Sequence, residues 1–193
     1  GMEPDRMGAA IERIGQFYLD CLKAELQAAD GLLDGMVIWG DVAYKKGLFM
    51  GPTYWRKYYK PGLKAMVDVC HEHGLPVIYH GCGNVRRIFG DFVQTGIDAY
   101  NPLEAKAGLD VIDLRRAYGH QIAFCGNMDV IDWARCRPEE LKAIVLRKLN
   151  AAKGGGLILH TIVVDPSDAD RIYACISAGG AYRSDDGGAS WKP

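Results

Sequence analysis

The sequence lacks three features: a long apolar run, an excess of charge of either sign, and an amino-terminal secretory signal. No apolar run approaches the roughly 20 residues that cross a bilayer. The first residues, GMEPDRM, have neither the basic flank nor the apolar core of a signal peptide. Lys and Arg number 23 against 24 Asp and Glu, so no net field attracts nucleic acid or an anionic membrane. We therefore expect no nucleic-acid partner and no membrane partner.

Six cysteines are scattered through a chain of 193 residues that is 49% hydrophobic. A chain of this length buries a core without disulfide bonds, which favours reduced thiols and a cytoplasmic location. We expect one globular domain with room for a small appendage.

Hydrophobic periodicity predicts alternating helices and strands. Apolar residues spaced three and four apart predict an amphipathic helix from Met7 to about Ala29. Short apolar runs predict five strands, buried on both faces, in GMVIWGDV, LPVIYHGCG, GIDAYNPLE, QIAFCGNMDV and GGLILHTIVV. Further helices are predicted at Thr53 to His73 (interrupted at Pro61 and Gly62), Val85 to Thr95, Leu109 to Tyr118 and Pro138 to Lys153.

A glycine closes each of these later helices: Gly74, Gly96, Gly119 and Gly154. Strands that alternate with helices pair in parallel, so the class is α/β.

Polar residues follow the ends of these strands, and parallel strands bring those ends to one edge. They are Asp41, His80, Cys82, Asn101, Glu104, Cys125, Asp129 and His160. Side chains two apart on a strand point the same way, so His80 and Cys82 can bind one zinc ion. The third ligand is Cys125 or His160, with Asp41 and Glu104 as less soft choices.

Simpler interpretations stand beside this one. A buried cysteine is often a small apolar residue, and a histidine at a strand end often bonds only to backbone. Arg86 fits an ordinary solvent-exposed arginine. It also follows the HGCG turn at the start of a helix, where anionic substrate groups can bind.

The segment from VIWGD to GNMDV resembles the carboxyl-terminal half of the uroporphyrinogen decarboxylase superfamily, which includes cobalamin-dependent methyltransferases. The resemblance covers about residues 5 to 164 and rests on the Gly40-Asp41 strand end, the Gly51-Pro52 helix start, EHGLPVIYHGCGN, NPLE and GNMDV. It implies a TIM barrel and tetrapyrrole or corrinoid chemistry. In the methyltransferase branch, a histidine and a cysteine at such positions, plus a cysteine near the last strand, bind zinc that activates a thiol. His80 and Cys82 match, and His160 stands in for the last cysteine.

The resemblance implies a partial TIM (β/α) barrel, because only about five of the family's eight strands are visible. The family's first three strands and its catalytic aspartate are expected upstream of Gly1. The expected function is zinc-dependent methyl transfer from a methylcorrinoid to a thiol, with Asp41 and His80 catalytic. Asn101, Glu104, Asp129 and Arg86 are expected to bind substrate. The alternatives are porphyrinogen decarboxylation with the missing half, and a non-catalytic barrel fragment or binding module.

The tail from Asp165 resembles one Asp-box (BNR) repeat of the sialidase type, with Ser184, Asp186, Gly188, Ser190 and Trp191 in register. That motif is a structural turn, so a short β-hairpin is predicted. The predicted domains are residues 1–164, a partial barrel, and residues 165–193, the tail.

An open barrel sheet exposes two edges and its concave face. We therefore expect a homodimer that covers this surface, with the aromatic cluster from Tyr54 to Tyr59 or the tail at its contact.

Overall fold

A computed structural model describes residues 3–158, 162–165, 168–176, 180–187, 189–190 and 192. Over this part of the chain the α-helices are Pro4–Ala29 (α1), Pro52–Tyr54 (α2), Lys60–Glu72 (α3), Phe89–Thr95 (α4), Val111–Tyr118 (α5), Val130–Arg135 (α6) and Pro138–Ala151 (α7). The strands are Met36–Trp39 (β1), Ala43–Tyr44 (β2), Gly47–Leu48 (β3), Val77–His80 (β4), Ala99–Leu103 (β5), Ala123–Gly126 (β6), Leu157–Ile158 (β7), Ile162–Asp165 (β8), Asp168–Ile176 (β9) and Gly180–Ser184 (β10). None of the described helices has the length and apolar character needed to cross a membrane.

The main sheet is parallel and five-stranded, in the order β1-β4-β5-β6-β7. Its strands are the five that the apolar runs predict, and they alternate with helices along the chain. The predicted α/β class, a partial TIM-barrel fold, is confirmed. This order brings the carboxyl ends of β1, β4, β5 and β6 to one edge, where the predicted site residues follow the strands.

One face of the sheet is covered by helices and holds the core. Val77 and Tyr79 of β4 point to this face and are fully buried, as are Tyr100 and Phe124 on the neighbouring strands. The Phe92 ring from α4 lies 4.6 Å from the Tyr79 ring. Burial of these large side chains is the main source of the sheet's stability.

The opposite face, here called the open face, is less covered. Parallel register places Val37 beside Ile78, and Trp39 beside His80 and then Asn101. Val37 is 57% exposed and Trp39 is 75% exposed. The prediction that all five strands are buried on both faces is therefore wrong for β1, and also for β7, where Ile158 is 51% exposed. An apolar run gives no sign of which face a helix covers.

The helix predicted from Thr53 to His73 is not interrupted at Pro61 and Gly62. A π-turn over Trp55–Tyr59 joins α2 to α3, and the Lys60 amide donates to the Trp55 carbonyl. Pro61 then lies in the first turn of α3, where its missing N–H is tolerated. The wider turn accommodates the proline without ending the helix.

The aromatic cluster from Tyr54 to Tyr59 lies mostly inside the protein. Trp55 is fully buried and Tyr58 is 8% exposed, whereas Tyr54 is 47% exposed. The cluster therefore packs α2 and the π-turn against the core, and a homodimer contact through it stays a prediction.

The tail forms an antiparallel sheet in the order β10-β9-β8. The predicted hairpin is β9 with β10, and β8 adds a third strand. The apolar run GGLILHTIVV, predicted as one strand, is thus divided between β7 in the parallel sheet and β8 here. The domain boundary at residue 164 stays a prediction.

The Asp-box turn follows β10. The Ser184 hydroxyl donates to Asp186 Oδ1 at 2.7 Å, and the Ser190 amide donates to the same oxygen at 2.8 Å. The Ser190 hydroxyl donates to Asp186 Oδ2. This bond is the largest cause, and with the other two it lowers the pKa of Asp186 to about 2. Gly188 and Trp191 of the motif lie outside the described residues.

Candidate metal centre

Asp41, His80 and Cys82 come together at the carboxyl edge of the parallel sheet. Their ligand atoms all lie within 4.8 Å of one another. This trio, here called the donor set, joins the segment after β1 to the end of β4. Asp41 is exposed, while His80 and Cys82 are partly buried, so the donor set is reachable from solvent.

Backbone bonds hold these two segments side by side. The Gly40 amide donates to the His80 carbonyl at 2.9 Å, and the Cys82 amide donates to Asp41 Oδ1 at 2.7 Å. A Cβ atom at Gly81 would lie 2.8 Å from the Tyr79 ring and 3.0 Å from the Gly40 carbonyl oxygen. Glycine is therefore required between His80 and Cys82 for this close approach.

The β2-β3 hairpin packs against the same turn. Gly83 has φ +93°, and a Cβ atom there would lie 2.6 Å from the Ala43 carbonyl carbon. The Asn84 amide donates to the Tyr44 carbonyl at 2.9 Å. The hairpin thus fixes the turn that carries Cys82, a relationship that the sequence analysis missed.

His80 is oriented by two neighbours. Its Nδ1 lies 2.6 Å from Asn101 Oδ1, and its ring centroid is 4.6 Å from that of Trp39. Because Asn101 Oδ1 only accepts, Nδ1 carries the proton and Nε2 keeps its lone pair. Metal-binding histidines are commonly held in this way, by a hydrogen bond from the nitrogen that does not bind the metal.

The chemistry of the donor set fits zinc. Tetrahedral zinc has bonds of about 2.0 to 2.3 Å, which places its ligands roughly 3.3 to 3.7 Å apart. The donor atoms lie within 4.8 Å of one another, so tetrahedral binding requires them to come closer together than they are in the metal-free protein. The pKa of Cys82 is raised by burial and by the charges of Asp41 and Glu104, so a cation is needed to hold it as thiolate.

Cys125, another predicted ligand, is not part of the donor set. Cys125 is 3% exposed. Burial raises the pKa of its thiol, and a hydrogen bond from Asn101 offsets part of that rise. Asn101 therefore lies between His80 and Cys125. Among the described residues, no group of three metal-binding side chains includes Cys125. His160 lies outside the described residues.

The residues predicted to bind substrate have structural partners. Glu104 accepts from the Gly83 amide at 2.9 Å. Arg86 pairs with Asp113 at 3.1 Å. Substrate binding by Glu104 and Arg86 stays a prediction.

Asp129, also predicted to bind substrate, caps α6. It accepts from the Ile131 amide at 2.8 Å and pairs with Lys106 at 3.2 Å. Burial would raise the pKa of Asp129, but these partners outweigh burial and hold the pKa below its ordinary value. Substrate binding by this residue also stays a prediction.

Asn127, in the GNMDV motif, anchors the segment behind the site. It has φ +77° and is 1% exposed. Its amide donates to the Leu109 carbonyl at 2.6 Å, and its Oδ1 accepts from the Val111 amide at 3.1 Å and from Lys148. The sequence analysis missed this role, although asparagine favours the left-handed conformation after a strand.

Comparison with known proteins identifies the family. The family model for uroporphyrinogen decarboxylase (URO-D) matches residues 2–161. A methyltransferase from Methanosarcina mazei is similar in structure, with a TM-score of 0.48 and 20% sequence identity over 65% of this chain and 36% of that one. The chain thus spans about a third of the length of that methyltransferase. No curated protein matches the sequence. Because the family model covers most of its length, this chain belongs to the uroporphyrinogen decarboxylase family.

Proposed function

We propose that the chain carries the zinc site for methyl transfer from a methylcorrinoid to a thiol. The observation that carries the proposal is the approach of Asp41, His80 and Cys82 within 4.8 Å of one another. A thiolate, an imidazole and a carboxylate leave the fourth position of a tetrahedral zinc ion open for a substrate thiol.

The side chains divide the work. His80 binds through Nε2 while Asn101 holds Nδ1, and Cys82 binds as thiolate. Zinc, when bound, lowers the pKa of the incoming thiol. The transfer forms a sulfur–carbon bond and breaks the carbon–cobalt bond, whose electron pair stays with the corrinoid. Asp41 would supply the carboxylate ligand, and the proton of the thiol would pass to solvent.

The open face beside the donor set suits a large flat ligand. Val37 and Trp39 are more than half exposed there, and Trp39 lies against the His80 ring. An exposed indole offers a stacking surface for a conjugated macrocycle. This arrangement supports a corrinoid or tetrapyrrole ligand on the open face.

Metal analysis of protein purified without chelators tests the proposal. We expect about one zinc per chain in the wild type and loss of zinc in Cys82→Ser. Cys136→Ser is the matched control, because Cys136 is also partly buried but caps α6 instead. Full zinc content in Cys82→Ser, or equal loss in both variants, would refute the proposed site.

Porphyrinogen decarboxylation and binding without catalysis are the alternatives. Both use the exposed surface around Trp39, and neither requires a metal at the donor set. A metal-free wild type that still binds a tetrapyrrole would favour them.

A further inference from the structure

Two buried tyrosines reach the carboxyl edge of the sheet from the side of the core. Tyr79 of β4 is 1% exposed, and Tyr100 of β5 is fully buried. Their rings pack on Phe92 of α4, with centroids 4.6 Å and 5.2 Å from its ring. Burial is the largest cause that raises the pKa of both phenols, so each hydroxyl keeps its proton and donates. The strand pattern predicts that both residues are buried but does not show what their hydroxyl groups contact.

The Tyr79 hydroxyl holds the backbone just before Asp41. It donates to the Gly40 carbonyl, which belongs to the peptide bond between Gly40 and Asp41. A Cβ atom at Gly40 would lie 3.1 Å from this hydroxyl oxygen and 3.2 Å from that of Tyr59, so glycine leaves the room that the contact needs. The Gly40 amide donates to the His80 carbonyl at 2.9 Å. Both backbone polar groups of the residue before Asp41 are therefore bonded.

The Tyr100 hydroxyl holds the backbone just before Cys82 in the same way. It donates at 2.7 Å to the Gly81 carbonyl, which belongs to the peptide bond between Gly81 and Cys82. The Gly81 amide donates to the Asn101 carbonyl at 2.8 Å. Gly81 is thus bonded to two successive residues of β5. Because glycine has more conformational freedom than any other residue, these bonds restrict a segment that is otherwise flexible.

We propose that Tyr79 and Tyr100 are positioning residues, which set the separation of Asp41 and Cys82 through the two glycine carbonyl groups. A metal site requires its ligands to be held within about 0.5 Å of the binding geometry, and groups behind the ligands commonly control metal affinity. Two buried hydroxyl groups supply that support from the core. The effect on metal binding rests on the proposed zinc site, whereas the positioning is a property of the metal-free protein.

Removal of each hydroxyl tests this role. Tyr79→Phe and Tyr100→Phe keep the rings that pack on Phe92, so we expect the fold to stay intact, which circular dichroism checks. We expect each variant to lower zinc affinity by about 10-fold or more, measured by competition with a chromophoric chelator. Tyr58→Phe is the matched control, because the Tyr58 hydroxyl is bonded to Asp5 of α1 at 3.2 Å and the residue is 8% exposed. The control keeps wild-type affinity.

Alkylation of the metal-free protein supplies a readout that needs no zinc. Loss of either hydroxyl leaves a carbonyl unpaired and the turn less restrained, so we expect iodoacetamide to modify Cys82 several-fold faster in both variants. Cys136 is the internal reference, because it is also partly buried but caps α6, and peptide mass spectrometry assigns the two sites.

The two readouts separate this role from the proposed function. If the wild type binds no zinc, the proposed function fails, and the ratio of Cys82 to Cys136 alkylation rates alone decides the positioning role. A general loosening of the protein speeds both thiols and leaves that ratio unchanged. An unchanged ratio, or wild-type zinc affinity in either variant, would overturn the proposal.

Discussion

His80 Nδ1 lies 2.6 Å from Asn101 Oδ1, which joins the ends of β4 and β5 beside the donor set. The bond sets the histidine tautomer, with the proton on Nδ1 and the lone pair on Nε2. Asn101 thus positions the His80 ring, and its predicted role in substrate binding stays a prediction.

Removal of this bond weakens metal binding. We expect Asn101→Leu to lower zinc affinity by about 10- to 100-fold, measured by competition with a chromophoric chelator. Asn101→Asp keeps the accepting oxygen and most of the affinity. Wild-type affinity in Asn101→Leu would show that the bond does not position the ligand.

The turn around Cys82 requires glycine at position 83. Gly83→Ala introduces a Cβ atom against the Ala43 backbone at positive φ, so we expect a loss of about 2 kcal/mol or more in unfolding free energy. Urea denaturation measures it. Gly51→Ala is the control, because its Cβ atom meets nothing within 4 Å and its φ is −63°. Equal effects of the two substitutions would count against the packing described for the hairpin.

The sequence pattern predicts part of the donor set. The two-residue period of a strand predicts that His80 and Cys82 act together, and the structure places them so. Asp41 was the less favoured choice, yet the pairing of Trp39 with His80 brings it beside them. Cys125 is separated by Asn101. Strand register and side-chain packing decide these outcomes, and neither is visible in composition or periodicity.

Buried Lys148 makes stability depend on pH. Burial lowers the pKa of Lys148, and the charge of Asp110 offsets only part of this effect. The folded protein therefore binds the ammonium proton of Lys148 less tightly than the unfolded chain does. Its contribution to unfolding free energy therefore rises with pH up to the ordinary value of 10.5. We expect wild type to gain stability relative to Lys148→Met between neutral pH and 10.5. Lys142→Met, at an exposed position, should show a constant difference; a flat profile for Lys148→Met would contradict the burial argument.

The Asp-box turn has a matching prediction at low pH. The folded pKa of Asp186 is about 2 against 3.8 ordinarily, so its stabilising effect is present above 3.8 and is lost as pH falls through about 2. Ser190→Ala removes the hydroxyl hydrogen bond, which is the largest cause of the lowered pKa, and keeps the amide hydrogen bond, which is the second. We therefore expect the pKa of the Asp186 carboxyl to rise in this variant. Side-chain NMR titration measures this pKa, and an unchanged value would be inconsistent with the turn geometry.

X-ray absorption at the zinc edge tests the donor set most directly. The account predicts one sulfur per zinc at about 2.3 Å, with nitrogen and oxygen ligands at about 2.0 to 2.2 Å, and loss of the sulfur signal in Cys82→Ser. A shell without sulfur, or with two sulfurs from the protein, would contradict a site built from Asp41, His80 and Cys82.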